Sequence, residues 1–419
     1  MADKRKIIFI LGNGFDLAHG LPTKYSHFLD FCKRVERIWQ YDLGSGNLNM
    51  FKENYIDGWE TNELISSAIE TAFRNRKVTR DKEDGYDVIS DNADLTEIYH
   101  LLEDNVWYRY FTALYKDNSL RGENWIDFEF EIRSVIREID QHATSLTDLI
   151  ENVLKEARGS SGNSKLDTFK GLLKFDKYIE RKKLSSDHAA TVRDFREKAY
   201  EDLENLTRAL ELYLSVFVEK IPINNRIPEI SNITPDYVIN FNYTNTYQRI
   251  YGKGKVYHIH GRADAKRPAK DNNMVLGIDE YWLGNERDER TNFTIFKKFA
   301  QRIQKRTGNE SYQYLKEVRK LFKSGHNIWT GGGDMSKHHP DGVSYVYVFG
   351  HSLDVTDKDI LSSFIGDEST YVIVYCRDKG TEGELIANTI SLISEERLLE
   401  KSNHIPTKLD YIIQQHETI

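Results

Sequence analysis

Lys6 to Tyr25 reads KIIFILGNGFDLAHGLPTKY. Ile7 to Leu11 is an unbroken run of β-branched and aromatic apolar residues, the pattern of a strand buried on both faces. The run stops at Gly12-Asn13-Gly14, where glycine permits positive φ and a close approach to bare backbone. Phe15 to His19 can begin a helix, and Gly20-Leu21-Pro22 ends it, because proline forces an extended residue before it. A strand, a glycine turn and a helix start aim several N–H groups at one point, which suits a pyrophosphate. The spacing is not G-x-G-x-x-G, since Leu17 stands where the third glycine belongs. The plainer alternative is a tight turn between a strand and a packed helix.

The rest of the chain supplies partners for that strand. After Pro235, five short β-rich runs follow: Tyr237–Phe241, Lys255–His260, Met274–Ile278, Val343–Gly350 and Tyr371–Cys376. Helical stretches lie between them at 292–322, 356–364 and 383–399, and Thr356 with Asp359, and Thr381 with Glu384, resemble capping boxes. Residues 24 to 235 read mainly as helices. Tyr25, Phe28, Leu29, Cys32, Val35 and Ile38 form one apolar stripe, and Val192 to Phe217 form another. Between these stripes the pattern predicts helices over 61–73, 95–115 and 125–154, a polar loop over 77–90 and a linker at Gly159–Ser164. The expected fold is α/β and Rossmann-like: a doubly wound, mainly parallel sheet with a large α-helical insertion. The sheet domain takes 1–25 plus 235–419 and the insertion takes 26–234.

Composition narrows the functional classes. Of 419 residues, 39% are hydrophobic and 30% charged, as in a soluble globular protein. A net charge of -8 gives no bulk attraction to nucleic acid, and no apolar run approaches the ~20 residues of a membrane helix. The apolar run at the N-terminus is too short for a signal peptide, so a cytoplasmic location is expected. Cys32 and Cys376 are too few for a zinc module or a disulfide framework and are expected as buried thiols.

Ligands on such sheets bind beyond the carboxyl ends of the strands, and the polar motifs gather there. Asn242, in Asn242-Tyr243-Thr244-Asn245, can hold a ribose hydroxyl or orient a water, or merely cap a turn. His258-Ile259-His260-Gly261 puts both imidazoles on one face, and Gly261 opens the approach to His260 as a general base. The rival is a metal site completed by His338-His339 or Asp279, and the plainest reading of His258 is a satisfied strand-end histidine. Gly350-His351-Ser352-Leu353-Asp354, with Asp357 after it, suits a second phosphate or a ribose. Asp16 is oddly acidic for a phosphate loop. Gly331-Gly332-Gly333-Asp334 reads as a lid or linker, and Asp127, Glu129 and Glu131 read as a solvated helix face or as carboxylates leaning into the cleft.

These residues resemble known motifs. Gly12-x-Gly14 with Gly20-Leu21-Pro22 has the spacing of the first sirtuin motif, G-A-G-[IV]-S-x-x-x-G-I-P. The segment at Asn242 resembles the sirtuin-like T-N-Y-D, His260-Gly261 the sirtuin H-G, and Gly350-His351-Ser352-Leu353 the late G-x-S-L loop. The fuller form L-G-N-G-F-D-L-A-H-G-L-P-T, with F-N-Y-T and H-I-H-G, is similar to the AbiH abortive-infection family of bacterial antiphage proteins.

The resemblance implies a Rossmann-like domain that binds NAD or a relative and hydrolyses it to nicotinamide and ADP-ribose as an antiphage effector. Asn242 and His260 would be the catalytic pair. Gly12, Asn13, Gly14, Phe15, Asp16, Gly20, Tyr243, Gly261, Gly350, His351, Ser352 and Asp354 would line the cofactor site. It further implies a second copy or a partner defence protein, with no metal, membrane or nucleic acid. Asp16 replaces the motif's serine, Thr244 its aspartate, and Lys24-Tyr25 its Phe-Arg, while the sirtuin zinc module is absent. The rival functions are a nucleotide sensor without turnover and a metal-dependent nuclease or phosphohydrolase.

Overall fold

The structure, a computed structural model, describes residues 6–40, 48–59, 62–80, 86–120, 126–141, 188–281, 291–307 and 344–414. The expectations for Gly159–Ser164, for Gly331–Asp334 and for His338 and His339 fall outside those residues. Two compact units emerge. The first comprises Met1–Thr23, Ile221–Ala263 and Arg302–Ile419, and the second Lys24–Lys220 with Asp264–Gln301. Residues 221–234, expected with the helices, thus cluster with the sheet, and 264–301 cluster with the helices.

The first unit carries strand β1 (Lys6–Leu11) and the short helix α1 (Asn13–Ala18). The second unit then contributes α2 (Tyr25–Gln40), α3 (Leu48–Tyr55), α4 (Glu63–Asn75), β2 (Lys77–Arg80), β3 (Tyr86–Ile89), α5 (Ala93–Leu102), α6 (Val106–Leu120), α7 (Phe128–Gln141) and α8 (His188–Leu212). The first unit resumes with α9 (Pro228–Ser231), β4 (Tyr237–Asn240), α10 (Thr246–Ile250) and β5 (Lys255–His258). Helix α11 (Lys298–Gln304) follows, then β6 (Ser344–Phe349), α12 (Lys358–Ile365), β7 (Thr370–Cys376), α13 (Lys379–Ile393), α14 (Glu395–Ser402) and β8 (Leu409–Ile413).

Six strands form one parallel sheet in the order β5-β4-β1-β6-β7-β8. Counting only the sheet's own strands, that order is 3-2-1-4-5-6, the doubly wound Rossmann arrangement. Alternate residues of each strand feed two cores, which is why the strands read as continuous apolar runs. Ile8, Ile10, Ile239, Val346, Val348, Val372 and Val374 pack with Leu361, Phe364, Leu385 and Leu392 on one face. Phe9, Leu11, Val238 and Phe349 pack with Phe15, Ile230, Tyr247 and Tyr251 on the other. Each such side chain contributes about 1.5–3 kcal/mol through burial. Lys6 pairs with Asp236 at 2.7 Å, and the other Asp236 oxygen accepts from Ile7 N, tying β1 to the start of β4.

Several local expectations need correction. Met274–Ile278 is buried but joins no sheet; Ile278 makes one isolated bridge, to Lys297, in the helical unit. A short apolar run fits any buried environment, so periodicity alone could not place it. The polar stretch 77–90 holds the antiparallel hairpin β2–β3. The expected helix 95–115 breaks at Asp104 (φ 56°), because Asn105 Oδ1 accepts from Tyr108 N and starts α6 afresh. Among the described residues of 125–154, the helix runs Phe128–Gln141. Helix α13 is capped by Asp378, which accepts from Thr381 N, and the 3-10 turn at 355–357 by Asp354, which accepts from Thr356 N. Neither is a threonine-led box. Strand β8 was not anticipated. Both cysteines are free and buried.

Candidate functional site

In a 3-2-1-4-5-6 sheet the crossovers diverge between strands 1 and 4, here β1 and β6, and leave a crevice beyond their carboxyl ends. The four sequence motifs follow β1, β4, β5 and β6, which are adjacent in the sheet.

At the crevice two glycine turns lie backbone against backbone. A Cβ on Gly12 would sit 2.5 Å from His351 Cα, one on Gly14 2.7 Å from Gly350 Cα, and one on Gly350 (φ 66°) 2.2 Å from Phe15 N. Gly12 N donates to Phe349 O at 3.1 Å, Gly14 N to Gly350 O at 2.8 Å, and Phe15 N to Gly12 O at 2.9 Å. The glycines therefore serve close packing of the two turns, and these three amides already have protein acceptors. This differs from the expected seat of unpaired N–H groups. Helix α1, at six residues, adds little dipole to it.

Past β4, three side chains fold the chain into a fixed turn. Asn240 Oδ1 accepts from Asn242 N at 3.0 Å and Asn240 Nδ2 donates to Thr244 O at 3.3 Å. Asn242 Nδ2 donates to Gly12 O at 3.0 Å across 230 residues of sequence. Among the described residues Asn242 Oδ1 has no hydrogen-bond partner, so this oxygen is the acceptor the turn can offer a ligand. Thr244 donates to Asp16 Oδ2 at 2.6 Å, with both side chains buried. Asp16 and Thr244, two of the departures from the sirtuin-like motifs, are thus each other's partners: acceptor and hydroxyl have changed places.

The three histidines of the site behave differently. His258 Nδ1 donates to Asn242 O at 3.0 Å, and its Nε2 accepts from Gln248 Nε2 at 2.9 Å. Burial lowers its pKa to about 4, so it is a neutral structural residue that steadies Asn242. His260, 4% exposed, turns Nε2 to Asp357 Oδ1 at 3.0 Å, its ring edge-on to Phe241. A carboxylate only accepts, so Nε2 carries the proton and Nδ1 is the basic nitrogen of the neutral ring. His351 Nδ1 accepts from Leu353 N at 2.9 Å, which places its proton on Nε2, 3.8 Å from Asp357 Oδ2.

The other expected site residues divide by burial. Phe15 is core, its ring among His19, Tyr247, Tyr251 and Phe349. Gly20 (φ 74°) is an exposed turn residue, and Gly261 (φ 80°) turns the chain directly after His260. Tyr243 is half-buried, and its carbonyl accepts from Ala263 N. Asn13 and Ser352 are exposed, with Asn13 Oδ1 accepting from Thr23 at 2.6 Å. Asp354 is engaged as a cap.

Asp127, Glu129 and Glu131 lie in the helical unit. Asp127 caps α7, Glu129 pairs with Lys298 at 2.8 Å, and Glu131 accepts from Tyr110. Asp279 lies in that unit as well. Among the described residues no group of three or more His, Cys, Asp or Glu side chains is arranged to hold a metal ion. No described helix is long and apolar enough to cross a membrane. Sequence reading missed Asn240, a polar residue ending an apolar strand, and the connection of Asp357 to the histidines. The spacing Asp354-x-x-Asp357 just past a strand was the available signal for the second.

Residues 8–375 match the family model described as Bacteriophage abortive infection AbiH. No curated protein matches the chain, and no solved structure does. The match spans nearly the whole chain, which therefore belongs to the AbiH family of phage abortive-infection proteins.

Proposed function

We propose that this AbiH-family chain binds NAD at the carboxyl ends of β1, β4, β5 and β6 and hydrolyses its nicotinamide–ribose bond. One observation carries the reading. The β4–β5 register pairs Asn240 with His258, so Asn242 and His260 leave neighbouring strands at the same level. Each is held by protein hydrogen bonds, Asn242 by Gly12 O and His260 by Asp357. Asn242 Oδ1 orients a water, and His260 Nδ1 takes its proton as the water adds to C1′ of the ribose. The C–N bond breaks with its electrons going to the pyridinium nitrogen, and nicotinamide leaves neutral. The products are ADP-ribose, nicotinamide and one proton. Exposed Asn13 and Ser352, flanking the packed glycine turns, face the phosphates in this reading.

Loss of NAD then stops phage growth in the infected cell. Purified protein is expected to release nicotinamide from NAD, and both His260→Ala and Asn242→Ala to lose about a thousandfold or more of that rate. Equal release by wild type and His260→Ala overturns the assignment.

A second reading, nucleotide sensing without turnover, is favoured by Thr244, which is tied to Asp16 where the sirtuin-like pattern has an aspartate. Micromolar binding of NAD or ADP-ribose with no product after long incubation selects it.

A further inference from the structure

Asp357 occupies the N-cap position of α12, yet its side chain makes no capping hydrogen bond there. An aspartate at that position ordinarily accepts from the helix's own amides. Three residues earlier Asp354 does cap, accepting from Thr356 N at 2.9 Å. Asp357 instead turns Oδ1 to His260 Nε2 in a hydrogen bond of 3.0 Å, while its Oδ2 lies 3.8 Å from His351 Nε2, close enough for charge attraction but too far for a hydrogen bond. All three side chains are at least nine-tenths buried.

The turn that brings His351 there is held in left-handed backbone at Gly350 (φ 66°) and at Leu353 (φ 56°). Leucine resists that conformation and is kept in it by a fully buried side chain and by its N–H bond to His351 Nδ1. Phe241 lies edge-on to both imidazole rings, 5.5 Å from His260 and 4.3 Å from His351. The backbone of the late turn is therefore built to present one imidazole to a carboxylate that a second imidazole also uses.

The geometry points to Asp357 as a positioning residue that clamps His260 in its Nε2–H tautomer, with His351, held in its own Nε2–H tautomer by Leu353 N, directed at the same carboxylate and not at a phosphate. The inference rests on the NAD-hydrolase reading for its kinetic consequence, but the tautomers can be observed without any ligand. Asp357 touches no reacting atom. It acts by fixing which nitrogen of His260 is basic, as an orienting carboxylate does beside a catalytic histidine.

The experiment has two arms. In the first, long-range 15N–1H spectra of the histidine-labelled full chain at neutral pH are expected to show His260 and His351 as Nε2–H tautomers, assigned by single replacement of each. A neutral Nδ1–H tautomer at either residue overturns the clamp whether or not the protein hydrolyses NAD. In the second, nicotinamide release is measured for Asp357→Asn, Asp357→Glu and His351→Asn. Asp357→Asn is expected to lower kcat about a hundredfold or more with KM for NAD moved less than about threefold, and Asp357→Glu to recover part of that loss. His351→Asn retains an acceptor for Leu353 N and is expected to lower kcat at unchanged KM. A raised KM at unchanged kcat for His351→Asn, or full turnover by folded Asp357→Asn, overturns the proposal. If wild type releases no nicotinamide, the hydrolase reading fails and the spectra alone decide the clamp.

Discussion

The sheet unit and the helical unit both bury charged and polar side chains, and they do so in different ways. In the helical unit the described charges close on each other locally. Lys297 binds both oxygens of Glu280 at 2.9 and 2.7 Å, Lys298 meets Glu129 at 2.8 Å, and Arg208 meets Glu211 at 2.7 Å. In the sheet unit the polar groups reach across the fold in two sets of contacts: Asn242 to Gly12 O, and Asp357 to His260 and toward His351. A buried pair that satisfies itself stabilises one packing, whereas hydrogen bonds between distant segments fix the strand ends relative to one another. Even two residues apart the contrast holds. His258 has both nitrogens consumed, while His260 is turned to a carboxylate.

The comparison can be broken first in the helical unit. Lys297→Ala leaves Glu280 with its buried ammonium partner gone, and is expected to cost about 3–5 kcal/mol in urea unfolding. Replacing both members with leucine and methionine should recover most of it, and failure to recover would give that pair a role beyond packing. In the sheet unit Gly350→Ala pushes a methyl group to 2.2 Å from Phe15 N at a positive φ, so a loss of about 3 kcal/mol in the same measurement is expected. Gly58→Ala, also at positive φ but with nothing within 4 Å of the added carbon, should cost about 1 kcal/mol.

A pH-dependent effect follows from His258. Its folded pKa is about 4, and the unfolded chain binds its proton near 6.5. Between those values the unfolded state holds the extra proton, so stability is full above about pH 6.5 and falls as pH drops toward 4. The loss reaches about 2–3 kcal/mol. His258→Gln is expected to flatten that part of the pH profile of the urea midpoint. Thr244→Val removes the hydroxyl donor from buried Asp16 and should cost about 1–2 kcal/mol by thermal unfolding. The double change Asp16→Ser with Thr244→Asp should restore the pairing in its reversed order, and strict additivity of the two single changes would show that the pair does not interact.

Much of the sheet was legible because its signals are local. Each buried strand announces itself as an apolar run, and Gly12-Asn13-Gly14 with Pro22 punctuates the first unit on both sides of α1. What escaped was short or ambiguous. Met274–Ile278 looks like its neighbours yet belongs to the helices, and β8 (LDYII) alternates on an edge and reads weakly. Asn105 starts a new helix inside a pattern that reads as one.

In the site, the histidines and Asn242 stood out by their places after strands. The use of each glycine did not, since a glycine that admits a ligand and one that admits another backbone look alike in a sequence. The Gly12 and Gly350 turns turned out to admit each other.

The sequence by itself determined the α/β class, five of the six strands of the first unit, most of its turns and the kinds of polar group at the strand ends, because backbone preference and hydrophobic period are written over a few neighbouring residues. Only the tertiary structure decided which of those groups are committed and to whom. Asn242 finds Gly12 across 230 positions, His260 finds Asp357 across 97, and Asp16 finds Thr244 across 228. The role of a buried polar atom is set by its partner, and such partners are neighbours in space alone.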